Sequence, residues 1–257
     1  MAAPWSGSHP ICQLLREDPD LAEAVPDAYR ARATDELIAP VAHLRRGRWS
    51  GEQPELSHDG IGLLVLDGLL LRRVGVDGRF GAELLGEGDV LRPWHGEDAP
   101  PTLPQTTGWR VLEDGRVAIL DLRVAQRIGR YPGLIGRLVG RGLERSRNLT
   151  VNMAIVHQRR IDIRLLMLFW QLAGRWGHVR TDGVVLRLRL THAVLADIVG
   201  ARRPSVSTAL SELAAQGLLA PVGDAWLLTG RPPGELLELG THIPHLVDDQ
   251  PSPARPR

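Results

Sequence analysis

The sequence predicts an α+β chain, and three observations carry that prediction. Between residues 61 and 120, short apolar segments are punctuated by Asp-Gly and Gly-Glu-Gly-Asp turn signals, as in a unit of many short strands, a sandwich or barrel. Ile135, Val139, Gly142, Ser146, Leu149, Met153 and Val156 follow one another at alternating intervals of four and three, the seam of a long helix lying lengthwise on another. Beyond residue 160 the apolar residues fall at helical spacing, then close in two short runs around Gly223-Asp224, the outline of a small hairpin.

In chain order, an N-terminal stretch able to form a short helix precedes the β-rich part. Residues 61–66, Asp67-Gly68 and residues 69–74 predict a hairpin with a type I′ turn. Asp77-Gly78, residues 86–89 and Asp114-Gly115 predict further turns, the last between residues 109–112 and 117–120. The Pro-rich segment 98–104 predicts a loop, because proline supplies no amide to a ladder. Within the long helix, Gly142 and Ser146 admit close approach of a second helix, so this segment is read as a dimerisation helix. Ile161, Ile163, Leu165, Leu166, Leu168 and Phe169 predict an apolar helix ending near Gly174, and residues 184–190 a strand. Thr191 suits the N-cap of the next helix, with Val194, Leu195, Ile198 and Val199 inward and Gly200 in the left-handed position after its end. Pro204 opens a further helix that runs to Gln216 and stops at Gly217. Residues 231–257, with six prolines and no periodicity, read as a flexible tail. The boundaries are therefore 1–130, 131–158, 159–230 and 231–257.

A chain of 257 residues, 43% hydrophobic and 24% charged, is long enough for one large or two ordinary cores. Its net charge of +1 is an average. Residues 1–130 carry 15 Arg against 20 acidic residues, whereas residues 131–230 carry 13 against 6. An acidic first half and a basic second half point to a nucleic-acid module downstream. Every basic residue is Arg, which fits a GC-rich coding bias and also suits phosphate binding. The single Cys12 leaves no intrachain disulfide and no multi-thiolate zinc or iron–sulfur site. With no signal-like start and no apolar run near the ~20 residues of a membrane span, the expectation is a cytoplasmic protein.

Helix, turn, helix and hairpin in that order outline a winged helix-turn-helix. In the second helix Val206, Leu210 and Leu213 face inward, leaving Ser205, Thr208, Ser211 and Glu212 to solvent. Hydroxyls contact phosphate or base edges without crowding the groove, and Arg202 and Arg203 stand at the helix N-terminus, where a recognition helix first meets DNA. The helix dipole favours phosphate at the same end.

That order, with residues 190–210 and Leu213-Ala214-Ala215-Gln216-Gly217-Leu218-Leu219, resembles the catabolite activator and fumarate–nitrate regulator (Crp/Fnr) family of bacterial transcription factors. The resemblance implies a homodimer with an N-terminal double-stranded β-helix (a cyclic-nucleotide-binding-like jelly roll), a long dimerisation helix and a C-terminal DNA-binding domain. It also implies double-stranded DNA, a palindromic operator, as partner, and RNA polymerase as another. By position Arg203 is similar to the family's leading base-reading Arg, Pro204 stands where many members have Glu, Thr208 where several have Arg, and Ser205 where phosphate is commonly touched. Ser207 and Ser211 complete the expected DNA-binding set with Arg202.

In the first half, residues 82–90 look like the strand and turn before the family's phosphate-binding segment. A cyclic-nucleotide binder would continue with Gly-Glu, a short helix and an Arg-Ser or Arg-Thr pair. Here Arg92-Pro93-Trp94 follows, Pro93 removes an amide, and Glu97 and Asp98 would repel phosphate, so cyclic AMP is not the expected ligand. Arg92 and Trp94 are candidate contacts for another anion or aromatic molecule. Nine His residues show no spacing that singles out a haem ligand, and His242 with His245 offers only two ligands for a metal; no cofactor or metal is expected. No Gly-rich phosphate loop, nucleophile elbow or HExxH is present, so no enzymatic activity is expected. The rival reading is a small-molecule sensor or dimeric interaction module without DNA binding, which Pro204 and Thr208 motivate.

Overall fold

The structure, a computed structural model, describes residues 10–51, 60–94 and 103–232. It divides into two compact units, residues 1–153 and 154–257. The first begins with β1 (Ile11–Gln13), α1 (Leu14–Glu17), α2 (Pro19–Glu23) and α3 (Asp27–Glu36), followed by β2 (Ile38–Leu44) and β3 (Gly47–Trp49). Then come β4 (Gly62–Val76), β5 (Arg79–Leu85), β6 (Val90–Leu91), β7 (Thr106–Leu120), α4 (Leu122–Ile128) and the long α5 (Pro132–Val156). The second unit holds α6 (Ile161–Trp176), β8 (Gly177–Arg180), β9 (Gly183–Leu186), α7 (His192–Val199), α8 (Arg203–Ala215), β10 (Leu219–Val222) and β11 (Ala225–Leu228). The expected class is observed: an antiparallel sheet unit, a long helix, and a helix-turn-helix with a β wing.

The sheet of the first unit runs β1-β2-β7-β4-β5, with β3 on β7 and β6 on β4, all antiparallel. Successive side chains of a strand point to opposite faces, and here both faces are buried. Leu64, Leu66, Ala118 and Leu120 join a core with Leu14, Leu21, Leu37, Val124 and Leu134 from the helices. Leu63, Val65, Val117 and Ile119 join a second core with Leu70, Leu85, Leu91 and Trp109. Double-sided burial explains why residues 63–66 read as an unbroken apolar run.

The predicted hairpin at Asp67-Gly68 does not form, nor does the turn at Asp114-Gly115. β4 and β7 each continue through these pairs for 15 residues. A type I′ turn needs positive φ at both central residues; Asp67 lacks it, and Asp77 alone among the described non-Gly residues has it, at 49°. Asp77-Gly78 is the real hairpin turn, joining β4 to β5 at Val76 and Arg79. The other two Asp-Gly pairs face each other across the β4–β7 ladder, where its register slips between Val65 and Leu70. Glycine is required there by proximity: a Cβ on Gly115 would lie 2.2 Å from the Asp67 carbonyl oxygen, and one on Gly68 would lie 2.7 Å from the Gly115 Cα. The Asp67 carboxylate accepts from the Arg116 amide at 2.8 Å and from Arg116 Nε at 2.6 Å, and Arg116 reaches on to Glu17.

α5 shows two unlike faces. Leu134 is buried and Leu138 half-buried against the sheet unit. One and two turns on, Arg141 and Arg145 point the same way. The predicted seam lies elsewhere: Ile135, Val139, Gly142, Ser146 and Met153 are exposed, Leu149 and Val156 half-buried, and Leu143 extends the exposed apolar stripe.

In the second unit α6 packs on α8 and α7, and Leu165, Phe169, Leu195, Val199, Val206, Leu213 and Leu228 form its interior. Phe169 meets Trp226 with ring centroids 4.9 Å apart. α6 continues to Trp176, past the predicted stop at Gly174, and a strand that the sequence reading lacked, β8, follows directly. The strand expected over residues 184–190 is instead β9, ending at Leu186. The sheet order is β10-β11-β9-β8, with the Gly223-Asp224 turn as expected. Of the earlier expectations, Glu97 with Asp98, His242 with His245, most of the 98–104 loop and most of the 231–257 tail lie outside the described residues.

Replacing Gly115 by Ala should lower stability by about 2–4 kcal/mol, because the added carbon must push two strands apart. Urea unfolding of the full chain measures this, and an unchanged midpoint would refute the close-crossing account.

Candidate nucleic-acid interface

The turn between α7 and α8 is built by local chemistry. Thr191 Oγ1 accepts from the Val194 amide at 3.3 Å, capping α7 at its start. Gly200 ends it at φ 61°, ψ 44°, a conformation that costs side-chain-bearing residues roughly 1–2 kcal/mol. Ala201 and Arg202 complete the turn, and Arg202, extended at φ −85°, ψ 143°, precedes α8 without a side-chain cap. Pro204 sits in the first turn of α8, where its missing amide costs nothing.

Arg202, Arg203, Thr208 and Ser211 are exposed, and Ser205 and Ser207 half-buried. Among the described residues neither Arg202 nor Arg203 spends its guanidinium on a hydrogen bond or ion pair. Two free forks at the positive end of a helix are suited to phosphate or guanine edges. The structure thus brings the predicted DNA-binding residues onto α8 and its leading turn.

The hydroxyls are less free than the sequence suggested. Ser207 donates to the Arg203 carbonyl at 3.1 Å, Thr208 to Pro204 at 3.3 Å and Ser211 to Ser207 at 3.1 Å. Each returns its proton to the preceding turn, leaving lone pairs as what it can offer outward. Ser207 is further engaged by His192 Nδ1 at 2.8 Å. The pair stitches α7 to α8.

Two residues near the start of α6 were not singled out from the sequence, and the first of them holds this arrangement. Arg164 on α6 donates to Gln158 O at 2.6 Å, to Val199 O at 3.1 Å and to Gly200 O at 3.4 Å, capping the end of α7 and tying it to the connector after α5. Asp162, buried near the start of α6, pairs with Arg160, whose hydrogen bond holds its carboxyl below the usual range. Arg164 had no visible signal, because carbonyl contacts follow no residue code. On the wing, Arg189 pairs with Asp224 at 2.6 Å.

Residues 163–229 match the Crp-like helix-turn-helix domain family. This part of the chain is a Crp-like helix-turn-helix domain. The match covers α7, α8 and both wing strands, so the resemblance drawn from residues 190–219 stands. Over most of its length the chain also shares its fold with solved structures of low sequence identity. A CooA variant from Carboxydothermus hydrogenoformans is 17% identical, with a TM-score of 0.58 over 89% of this chain and 94% of its own. FixK2 from Bradyrhizobium japonicum is 18% identical, with a TM-score of 0.55 over 78% and 96%. A cyclic nucleotide-binding domain containing protein from Listeria monocytogenes EGD-e is 16% identical, with a TM-score of 0.56 over 82% and 96%. No curated protein matches the chain by sequence. Outside the Crp-like domain, Arg92 is exposed, while Trp94 is half-buried against the core containing Leu91 and Trp109, with its indole nitrogen buried. Among the described residues no helix is long and apolar enough to cross a membrane, and no cluster of three or more His, Cys, Asp or Glu side chains is placed to hold a metal.

The hydroxyl contacts give a measurable contrast within the Crp-like domain. Ser207→Ala should cost about 1 kcal/mol through the lost α7–α8 stitch, whereas Thr208→Ala and Ser211→Ala should change stability by less than about 0.5 kcal/mol. Thermal unfolding of the three variants compares them; equal losses would contradict the stitch.

Proposed function

We propose that the chain is a homodimeric, sequence-specific, DNA-binding transcription regulator of the cytoplasm, whose sheet unit does not bind cyclic AMP. In this reading residues 1–130 are a sensor-type domain, 131–158 the dimerisation helix, 159–230 the reader and 231–257 a tail. The observation that carries it is the pair of uncommitted guanidiniums, Arg202 and Arg203, at the exposed N-terminus of α8. Arg203 reads a base edge, Arg202 and Ser205 hold phosphate, and Ser207, Thr208 and Ser211 offer acceptor oxygens to the groove. A second copy is supported by the exposed stripe of Ile135, Val139, Leu143 and Met153, which water alone would cover at a cost in apolar exposure. Two copies would place their α8 helices in major grooves about one helical turn apart on a palindromic site. Contact with RNA polymerase belongs to the same reading. Arg92 and Trp94 remain the candidate contacts for any other small ligand.

The absence of cyclic AMP binding is supported by Pro93 and by the inward packing of Trp94. The rival, an interaction module without DNA binding, is favoured by one observation: the hydroxyls of Ser207, Thr208 and Ser211 are turned back on their own helix.

Selection of bound genomic fragments at moderate salt tests the proposal. A preferred site with steep salt dependence is expected, and no retention at any salt supports the rival. Arg203→Ala should weaken the preferred site by about 1–3 kcal/mol and relax one base position. Leu143→Glu with Met153→Glu should shift the protein to monomer in light scattering; an unchanged mass would exclude this stripe as the dimer contact.

A further inference from the structure

We propose that the Glu83 carboxylate is a built-in anion that holds α5 against the sheet unit, so that the regulator needs no added ligand to keep this helix in place. The inference rests on the reading of the sheet unit as one that takes no cyclic AMP, and deepens it by naming the anion that the chain supplies to α5 itself.

Glu83 lies on β5, in the stretch of residues 82–90, and is only 9% exposed. Two guanidiniums close on it. Arg145 of α5 donates from Nη2 to Oε1 at 2.6 Å and from Nε to Oε2 at 3.1 Å, and Arg72 of β4 donates from Nε to Oε1 at 2.5 Å. Arg145 also donates to the Val90 carbonyl at 3.2 Å. Burial works against the Arg145 charge, and the hydrogen bonds and charge of Glu83 more than offset it, holding this guanidinium above its usual range. Arg72 lies 5.9 Å from the centre of the Trp109 ring. Two converging forks around one buried anion form a recognition site for a carboxylate or phosphate, and the chain fills it with its own side chain.

One turn away on the same face of α5, Arg141 repeats the device. It meets Asp18 at 2.6 and 2.8 Å, Asp20 at 2.7 Å and the Gly88 carbonyl at 3.3 Å, while Asp18 also caps α2 through the Leu21 amide. Arg137, one turn earlier, reaches Asp20 at 3.1 Å. The helix is therefore fastened along three turns by charges that the fold itself supplies. Removing one member of such a partly buried set leaves the others uncompensated, which makes the arrangement an obligatory part of α5 docking.

Glu83→Ala removes the atoms of one acetate ion, which makes chemical rescue the test. Hydrogen exchange along α5 is measured on the full-length wild type, Glu83→Ala and Glu83→Gln, together with affinity for the selected DNA. Exchange of the α5 amides near residues 141–152 should quicken by about tenfold in both variants. Acetate should restore Glu83→Ala while acetamide, its neutral counterpart, should not; Glu83→Gln, whose amide fills the space, should not respond. The wild type should be indifferent to acetate, inorganic phosphate and cyclic AMP. Wild-type exchange rates in both variants would overturn the proposal, as would equal rescue by acetamide. A wild type whose α5 protection or DNA affinity rises by about tenfold on adding any of these anions would overturn it too. If Glu83→Ala fails to fold, Glu83→Gln and the wild-type titrations decide. A wild type that binds no DNA would refute the regulator reading alone, since the exchange measurements stand without DNA.

Discussion

The first unit depends on the point where β4 and β7 pass each other at Gly68 and Gly115. Two 15-residue strands paired without interruption would carry one even twist along their whole length. Bulges interrupt this by bending the strands and raising the local twist. Ahead of the bend, the alternating residues of β4 divide between two cores, one under the N-terminal helices and one shared with β5, β6 and Trp109. The bend places Asp67 where it accepts from both the backbone and side chain of Arg116, which carries the tie to Glu17 in α1. The N-terminal helices, which bring Asp18 and Asp20 to α5, are thus held both by the apolar core under β4 and β7 and by this ion pair beside the crossing.

The sequence announced most of the second unit because its signals are local. Thr191 caps, Gly200 adopts a left-handed conformation and Gly223-Asp224 turns, each for reasons contained within four residues. The Asp-Gly pairs of the first unit misled because the same dipeptide serves a hairpin or a bulge, and the choice depends on what lies across the ladder. Only Asp77-Gly78 has no strand opposite it to pair with, and it alone turns. β8 was invisible because residues 177–180 are mostly exposed and carry no alternating apolar pattern; their place is set by β9.

The candidate site was legible in its cations and less so in its hydroxyls. Arg202 and Arg203 stand at a helix start that any reading of Pro204 locates. That Ser207, Thr208 and Ser211 bend back on their own helix is a property of unoccupied rotors in a helix interior, which composition does not reveal. The α5 arginines were hidden for a different reason. The four-three spacing of apolar residues identifies one face of a helix, and the neighbouring face, with Arg141 and Arg145, reads as solvated until the acidic partners some 60 to 120 positions earlier in the chain are seen beside it.

Arg164 gives the connector after α5 a shared anchor. A single planar fork grips the Gln158 carbonyl on one side and the Val199 and Gly200 carbonyls on the other, so one side chain joins the connector to the elbow leading to Arg202. Loss of that one side chain would leave three backbone carbonyls, on two separate segments of the chain, without their shared donor.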